Sequence, residues 1–197
     1  FAPLSNAYLT EDDLQKSEKY YPLKVQVCEH CWLVQINDYT TAGELFTAEY
    51  AYFSSTSTLW LSHAKTYAGK VAADLKLDSN SFVVEIASND GYLLQNFVEM
   101  GIPCLGIEPT ESTALVCEKK GVPVLREFFN DSIANNLCSE NKQADLIIGN
   151  NVYAHVPDIN DFTRGLKRLL KDGGTITLEF PHLMNLIAQT QFDTIYH

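Results

Sequence analysis

The sequence predicts an α/β fold with a doubly wound, mainly parallel sheet, preceded by a small N-terminal region. Short apolar runs of strand length alternate with helix-length segments from residue 81 onward, and a helix between consecutive strands makes those strands parallel. Gly101 and Gly121 follow two of the predicted helices, as is typical of helix ends. The chain has 197 residues, 46% of them hydrophobic, enough for one main domain with a smaller appendage.

The region before the sheet has two parts. Residues 1–40 contain apolar alternations around Leu23–Val27 and Trp32–Ile36, which predict two small strands flanking Cys28-Glu29-His30-Cys31. Residues 41–78 form a connecting segment that is rich in aromatic and hydroxyl side chains and ends in a predicted helix. Apolar residues recur in that helix at steps of three and four, at Trp60, Ala64, Tyr67, Val71 and Leu75.

Residues 79–197 are predicted to form the domain that contains the sheet. Its strands are predicted at Phe82–Ala87, Pro103–Ile107, Val122–Leu125, Ala144–Gly149 and Thr175–Phe180. Its helices are predicted at Tyr92–Met100, Glu111–Lys120, Asp131–Cys138 and Asp161–Leu170, with a turn at Asp172-Gly173-Gly174. Ligands of such sheets bind beyond the carboxyl ends of the strands, near the point where the strand order reverses. The loops at those ends are therefore where functional residues are expected.

Composition excludes several classes of partner. The formal net charge of −11 and the pI near 4.8 disfavour a nucleic-acid partner and an anionic membrane surface. The sequence shows no apolar stretch long enough to span a bilayer and no signal peptide. Of the five cysteines, Cys104, Cys117 and Cys138 lie in apolar or helical settings, as reduced cysteines do. A cytoplasmic protein is expected, and its oligomeric state is left open.

The loop after the first strand of the sheet predicts the class of cofactor. Between Glu85 and Gly91 it contains one glycine, whereas a backbone that cradles pyrophosphate needs several, so an NAD site is disfavoured. An S-adenosylmethionine site binds no phosphate and needs a tight turn beside polar groups that hold a cation. Glu85, Ser88, Asn89 and Gly91 meet that need. The alternative is a capped helix start, which Asn and Asp also favour.

Glu108 ends the second strand of the sheet, 17 positions after Gly91. A carboxylate at this place can accept hydrogen bonds from both ribose hydroxyls of an adenosine cofactor, and the expected spacing is about 20 residues. Glu108 and the adjacent Pro109 are therefore predicted to bind the cofactor. The alternative is a surface glutamate that begins a turn with Pro109.

The loop after the fourth strand supplies further candidates. Asn150 and Asn151 could contact a cofactor through amide or backbone groups, and His155 is a titratable group on the same side of the sheet. All three are predicted cofactor-binding residues. A histidine before a helix can instead cap the helix or pack against it.

Several sequence blocks together resemble the nucleotide-sugar C-methyltransferases, and the match covers the whole chain. The blocks are, in order, P-L-S-N-A-Y, Y-P-L, C-x-x-C with L-V-Q, Y-x-Y-F-S-S-x-S, E-I-A-S-N-D-G-Y-L, G-I-E-P-T, N-V-Y-A-H-V-P-D and F-D-T-I-Y-H. The resemblance implies S-adenosylmethionine as cofactor and a keto-deoxysugar nucleotide as substrate. It also implies that residues 1–40 are part of a zinc-ribbon-like domain and residues 79–197 a Rossmann-like methyltransferase domain.

The resemblance also implies a mechanism. A base removes a proton beside the keto group, and the enolate carbon attacks the methyl group. Tyr50, Tyr196 and His197 are the catalytic candidates, with Tyr52 as a further orienting tyrosine. Substrate contacts are expected from Tyr52, Ser55 and His63. Ordinary aromatic packing is the alternative for the tyrosines.

The chain departs from the family pattern near both ends. Family members carry an earlier C-x-x-C that completes a four-cysteine zinc site, and no cysteine precedes Cys28 here. Cys28 and Cys31 are therefore half of a tetrahedral site. Missing upstream residues, an absent metal and an irregular ligand at His30 all remain open. Beyond Tyr196 and His197 the family continues into Glu-His, whose histidine is the proposed base, and into a further domain, so truncation at both ends is expected.

Two other functions remain open from the sequence. The same fold could methylate oxygen or nitrogen of a small molecule, which would need no keto-sugar nucleotide. A non-catalytic S-adenosylmethionine-binding module could use the cysteine-containing hairpin for protein contacts. Binding of the cofactor and methyl transfer to a keto-sugar would separate these hypotheses.

Overall fold

The computed structural model describes residues 1–4, 8–48 and 50–191. Its main feature is a five-stranded parallel sheet with strand order β5-β4-β3-β6-β7. The strands are β3 (Val83–Ile86), β4 (Cys104–Ile107), β5 (Val124–Leu125), β6 (Ala144–Asn150) and β7 (Leu170–Glu179). The predicted α/β fold is confirmed. The strand order reverses between β3 and β6, which places the expected ligand crevice at their carboxyl ends.

Helices cover both faces of the sheet. They are α2 (Thr58–Leu75), α3 (Leu94–Glu99), α4 (Glu111–Lys119), α5 (Asp131–Ser139) and α6 (Ile159–Leu169). Side chains of α2, α3 and α4 pack on one face, and those of α5 and α6 pack on the other. Successive residues of β3 alternate between the two cores, so Val83 lies in the first and Val84 in the second. By this alternation Glu85 points to the α2–α3 face.

The N-terminal region contains short elements. β1 (Val25–Val27) and β2 (Val34–Ile36) form an antiparallel pair around the Cys28–Cys31 turn, as the apolar alternation predicts. A short helical turn, η1 (Asp13–Gln15), precedes this pair, and α1 (Ala42–Leu45) and η2 (Ser54–Thr56) follow it. Two more elements lie near the carboxyl edge of the sheet, η3 (Tyr153–His155) and α7 (Leu183–Ala188). No helix among the described residues is long and apolar enough to cross a membrane.

The predicted turn at Asp172-Gly173-Gly174 is wrong as a separate element, because it lies inside β7. The chain advances five residues from Leu170 to Thr175 while β6 advances two, from Ala144 to Leu146. Gly173 accommodates this irregularity with a φ of +78°. The turn chemistry therefore produces a bulge within the strand.

Gly106 in β4 allows the first loop to approach the neighbouring strand. A Cβ at this position would lie 2.4 Å from Ser88 Oγ and 2.9 Å from Ser88 Cβ, and Ser88 is fully buried. We therefore expect Gly106→Ala to lower the free energy of unfolding by roughly 1–3 kcal/mol through overpacking, measured by urea denaturation. The matched control is Gly69→Ala in α2, where a Cβ meets nothing within 4 Å. That variant should be about 0.5–1 kcal/mol more stable, and destabilisation of both variants alike would contradict the packing argument.

Candidate cofactor site and acceptor crevice

The loop after β3 makes a tight turn in which alternate residues adopt positive φ. Ala87, Asn89 and Gly91 have φ values of 57°, 51° and 75°. Asn tolerates this conformation better than most residues, whereas alanine does so at a cost. At Gly91 a Cβ would also lie 2.8 Å from Cys117 Sγ. The single glycine of the loop therefore stands where Cys117 of α4 leaves no room for a side chain.

Glu85 is the most unusual side chain beneath this loop. It is fully buried, and within the described part of the chain neither carboxyl oxygen has a hydrogen-bond partner. Burial raises the pKa of the Glu85 carboxyl well above its ordinary value, and the nearby charges of Glu108 and Asp90 raise it further. The Tyr92 hydroxyl lowers this pKa by a smaller amount, although no hydrogen bond of normal geometry joins the two groups.

Glu108 lies where the sequence predicts it, at the end of β4 and next to the first loop. Its Oε2 accepts a hydrogen bond from the Asn89 N–H at 2.9 Å, and its Oε1 accepts one from the Thr110 N–H at 3.0 Å and another from the Thr110 hydroxyl. The residue is 4% exposed. It therefore holds the loop, a structural role that the sequence did not reveal, and its contact with the ribose stays a prediction. Pro109, beside it, is half-buried.

The buried polar atoms around the loop suit a cationic ligand. Besides the Glu85 oxygens, Ser88 Oγ and Asp90 Oδ1 are buried without a hydrogen-bond partner among the residues described. Such groups are costly unless a ligand or water satisfies them. A sulfonium or ammonium group placed beside Glu85 would offset the charge, and an amino group would supply donors. The residues present therefore fit S-adenosylmethionine.

The residues expected to bind substrate before the sheet lie against this loop. Asn89 Nδ2 donates a hydrogen bond to the Tyr52 carbonyl at 3.0 Å, and Asp90 Oδ2 accepts one from the Ser55 N–H at 3.2 Å. The Tyr50 carbonyl accepts a hydrogen bond from Ser112 Oγ at 2.9 Å. Tyr50 and Ser55 are half-buried and Tyr52 is exposed. Tyr52 and Ser55 thus lie against the first loop and Tyr50 lies against α4, and their contact with substrate stays a prediction.

A crevice of about 200 Å³ opens beside the loop, between α2 and the ends of β6 and β7. His63 lines it, and the ring of Trp60 stacks between those of His63 and Tyr92 at centroid distances of 5.1 and 5.9 Å. Further along α2 the Tyr67 hydroxyl is 2.5 Å from Thr177 Oγ1 of β7. The walls therefore combine ring faces with hydroxyl groups, which suits a polar ring-shaped ligand better than a fully apolar one.

The three candidate residues of the loop after β6 lie in different surroundings. Asn150 lines the crevice and its Nδ2 donates a hydrogen bond to the Tyr92 hydroxyl at 3.0 Å. Asn151 is exposed and is held to Glu179 by a backbone bond of 2.7 Å and a side-chain bond of 3.2 Å. His155 is half-buried on η3. Asn150 therefore belongs to the crevice by geometry, and cofactor contacts by all three stay predictions.

Sequence reasoning missed the two tyrosines that shape the crevice. Tyr67 appears in the sequence as one apolar step of a helix, and Tyr92 as the start of another. Burial raises the pKa of both hydroxyls, and the charge of Glu85 raises it further. Tyr92 directly follows the loop glycine, where an aliphatic residue would also fit. Because a buried phenol usually needs a polar partner, this residue type could have indicated a polar site.

Cys28 and Cys31 lie on the β1–β2 turn as the sequence predicts. Hydrogen bonding from the backbone of Cys31 and His30, and from the Cys31 side chain, lowers the pKa of Cys28, which favours the thiolate that binds zinc. Over residues 1–4, 8–48 and 50–191 no group of three or more His, Cys, Asp or Glu side chains could hold a metal ion. The turn thus supplies two candidate zinc ligands, which is half of the four that a tetrahedral site needs.

The predictions for two tail residues and two cysteines have different outcomes. Tyr196 and His197 lie outside the described residues. Cys104 and Cys117 are buried free cysteines, and burial raises the pKa of their thiols to about 11 and about 12. They are therefore packing residues, as their apolar settings predicted.

The sheet, with its strand order reversing between β3 and β6, places a ligand crevice at the carboxyl ends of these strands. The chain belongs to the methyltransferase-domain family: the family model "Methyltransferase domain" matches residues 60–196. A second model, "Putative zinc binding domain", matches residues 1–46. S-adenosylmethionine, the cofactor predicted from the sequence, agrees with this family.

Relatives support the same assignment. The chain is 30% identical over 195 residues to the C-methyltransferase NovU of Streptomyces niveus, and the match covers 99% of this chain and 46% of NovU. The chain thus spans about half the length of that relative. This similarity bears out the resemblance to C-methyltransferases.

Solved structures share the fold. PH0226 of Pyrococcus horikoshii OT3 superposes with a TM-score of 0.57 at 18% identity, covering 71% of this chain and 66% of the other. An S-adenosylmethionine-dependent methyltransferase of Clostridium acetobutylicum ATCC 824 superposes with a TM-score of 0.51 at 16% identity, covering 62% and 51%. The Rossmann-like methyltransferase fold predicted from the sequence is confirmed.

Proposed function

We propose that this chain is the cofactor-binding part of an S-adenosylmethionine-dependent C-methyltransferase that acts on a keto-deoxysugar nucleotide. The observation that carries the proposal is the crevice of about 200 Å³ beside the first loop, with buried Glu85, which has no hydrogen-bond partner among the described residues, beneath that loop. The similarity to NovU, which is named a C-methyltransferase, supports carbon as the acceptor. The division into a zinc-binding-type region (1–40), a connecting segment (41–78) and a methyltransferase domain (79–197) is part of the proposal.

The residues of the chain have distinct tasks in this proposal. Glu85 and Glu108 hold the cationic and ribose parts of the cofactor, while the loop between Ala87 and Gly91 gives it room. When bound, S-adenosylmethionine supplies an electrophilic methyl group. Trp60 and Tyr92 line the crevice beside this loop.

Methylation of carbon also needs a base and donors for the enolate oxygen. Among the residues that line the crevice, the imidazole of His63 and the carboxylate of Glu179 have basic atoms, and the hydroxyls of Tyr67 and Tyr92 can donate. Tyr50 is a further donor on the neighbouring segment. A ketone oxygen held by such donors makes the adjacent carbon more acidic. Zinc, held in part by Cys28 and Cys31, would have a structural role only.

The test separates proton removal from methyl transfer. The full-length protein is incubated in deuterium oxide with S-adenosylhomocysteine and a panel of nucleotide sugars, with and without a keto group. We expect deuterium to enter the carbon beside the ketone without methyl transfer. With S-adenosylmethionine the methyl group should appear on that carbon, as detected by NMR spectroscopy of the product.

The controls distinguish the other chemistries. Sugars without the keto group should neither exchange nor accept a methyl group, because they cannot form the enolate. A methyl group found on oxygen or nitrogen would overturn carbon as the acceptor. Cofactor binding without transfer to any panel member would instead favour a non-catalytic module.

A further inference from the structure

The connection between the cofactor loop and residues 50–57, here called the serine segment, is made by side chains of the loop. Asn89 Oδ1 accepts a hydrogen bond from the Ser54 N–H at 2.9 Å, and Asn89 Nδ2 donates to the Tyr52 carbonyl at 3.0 Å. Asn89 thus contacts the backbone of the serine segment as a neighbouring strand would. Both ends of one amide side chain are used in holding a segment 35 residues away.

Asp90 adds a second attachment. Its Oδ2 accepts the Ser55 N–H at 3.2 Å and lies 3.5 Å from Lys120 Nζ, which also donates to Ser55 Oγ at 2.5 Å. Ser54, Asn89 and Asp90 are 7%, 8% and 1% exposed. Because buried amides are costly without an acceptor, the position of the serine segment depends on the conformation of the loop.

The same asparagine is joined to the predicted ribose ligand. The Asn89 N–H donates to Glu108 Oε2 at 2.9 Å. Glu108, Asn89 and the serine segment therefore form one continuous hydrogen-bonded series that begins at the cofactor site and ends at Tyr52. The left-handed backbone of Asn89, with a φ of 51°, directs its N–H and its side chain to these two different partners.

We propose that Asn89 is a positioning residue that couples the cofactor site to the serine segment, so that a bound cofactor fixes Tyr50 and Tyr52 for the acceptor. The acceptor part of this inference rests on the proposed function. Cofactor binding restrains Glu108 and the loop, which restrains Asn89, and the two amides of Ser54 and Ser55 become harder to open. The acceptor then meets a segment that is already ordered, and its binding loses less conformational entropy.

The first test measures the coupling without any acceptor. Hydrogen exchange of the peptide that contains the Ser54 and Ser55 amides is followed with and without S-adenosylhomocysteine. We expect the ligand to slow exchange several-fold in the wild-type chain. In Asn89→Gly, exchange should be fast and unaffected by ligand. Unchanged exchange in the wild-type chain on ligand binding would overturn the coupling.

The second test separates positioning from simple loss of structure. Asn89→Gly keeps the left-handed backbone and the N–H bond to Glu108, so any loss of affinity for S-adenosylhomocysteine should be smaller than the loss of affinity for the acceptor. The KM for the acceptor should rise by roughly tenfold, as expected for two lost hydrogen bonds. Equal weakening of both ligands would overturn the positioning role.

Two further variants complete the design. Asn141→Gly makes the same substitution in the same backbone conformation, with a φ of 58°, at the opposite edge of the sheet, and should alter neither ligand. Ser54→Pro removes the segment's own donor and leaves the loop intact, and Phe53 already has the extended backbone (φ −116°, ψ 117°) that a following proline requires. This variant should also raise the KM for the acceptor. If the ligand slows hydrogen exchange at Ser54 and Ser55 while no keto-sugar is methylated, that result would reject keto-sugars as the acceptor but would still support the positioning role of Asn89.

Discussion

Glu85→Gln is expected to weaken binding of both S-adenosylmethionine and S-adenosylhomocysteine by roughly ten- to one-hundred-fold, or about 1.5–3 kcal/mol for a charged hydrogen bond. The physical reason is that Glu85 is fully buried and its two oxygens lack partners among the described residues. Both ligands carry an ammonium group that can supply the missing donors, and glutamine keeps the shape of the side chain but not its charge. Isothermal titration calorimetry measures the effect directly.

The same substitution should change how stability depends on pH. Burial, followed by the charge of Glu108, raises the pKa of Glu85 in the folded chain above its ordinary value of 4.5. A carboxyl group of this kind favours the folded state at low pH, and that contribution is lost as the pH rises from the unfolded value through the folded one. Glutamine does not ionise, so the Glu85→Gln variant does not lose stability in this way as the pH rises. Its stability relative to the wild-type chain should therefore increase as the pH rises above about 4.5, measured by urea denaturation at a series of pH values.

Glu99→Gln is the matched control for both experiments. Glu99 is exposed at the end of α3, and its replacement removes the same charge without touching the buried site. We expect it to leave ligand affinity unchanged. If both glutamine variants weaken binding equally, overall charge rather than Glu85 determines affinity, and the assignment of Glu85 to the cofactor is wrong.

The sheet could be predicted from the sequence because its strands and helices have different periodicities. Val83–Ile86 is apolar except for Glu85, and Ala144–Asn150 has an apolar run over residues 146–149, as expected of strands covered on both faces. The turn expected at residues 172–174 shows the limit of this approach. Gly173 and its neighbours have turn chemistry, but whether the chain turns or bulges depends on the register with β6, which is not a local property.

Part of the candidate site could also be predicted from the positions of the strands. Glu85 and Glu108 could be located because Glu85 is the next-to-last residue of β3 and Glu108 directly follows β4, and parallel strands bring their carboxyl ends to one edge. The hydrogen bonds between Asn89 and the serine segment could not be foreseen, because they join positions about 35 apart through side-chain geometry. The crevice depends on how Trp60 and Tyr92 stack, and spacing along a helix gives only the face on which each residue lies.

Glu108→Ala is expected to weaken cofactor binding by roughly 1–3 kcal/mol, or about ten- to one-hundred-fold. The structure gives two reasons for a loss. A carboxylate that can face the ribose disappears, and the Asn89 and Thr110 N–H groups lose the acceptor that they contact at 2.9 and 3.0 Å. Calorimetry with S-adenosylhomocysteine gives the total loss. Glu127→Ala, an exposed carboxylate just after β5, should have no effect and controls for charge at this edge of the sheet.

Analogues of S-adenosylhomocysteine that lack the 2′- or the 3′-hydroxyl separate the two reasons. If Glu108 binds the ribose, each deletion should weaken binding to the wild-type chain more than binding to Glu108→Ala, with a coupling energy of at least about 0.5 kcal/mol. If Glu108 only holds the loop, the hydroxyl deletions cost the same in both chains and the two losses add. Additive losses would therefore move the ribose contact elsewhere. Because Asn89 binds both Glu108 and the serine segment, the Glu108 variant should also abolish the response of the Ser54 and Ser55 amides to ligand.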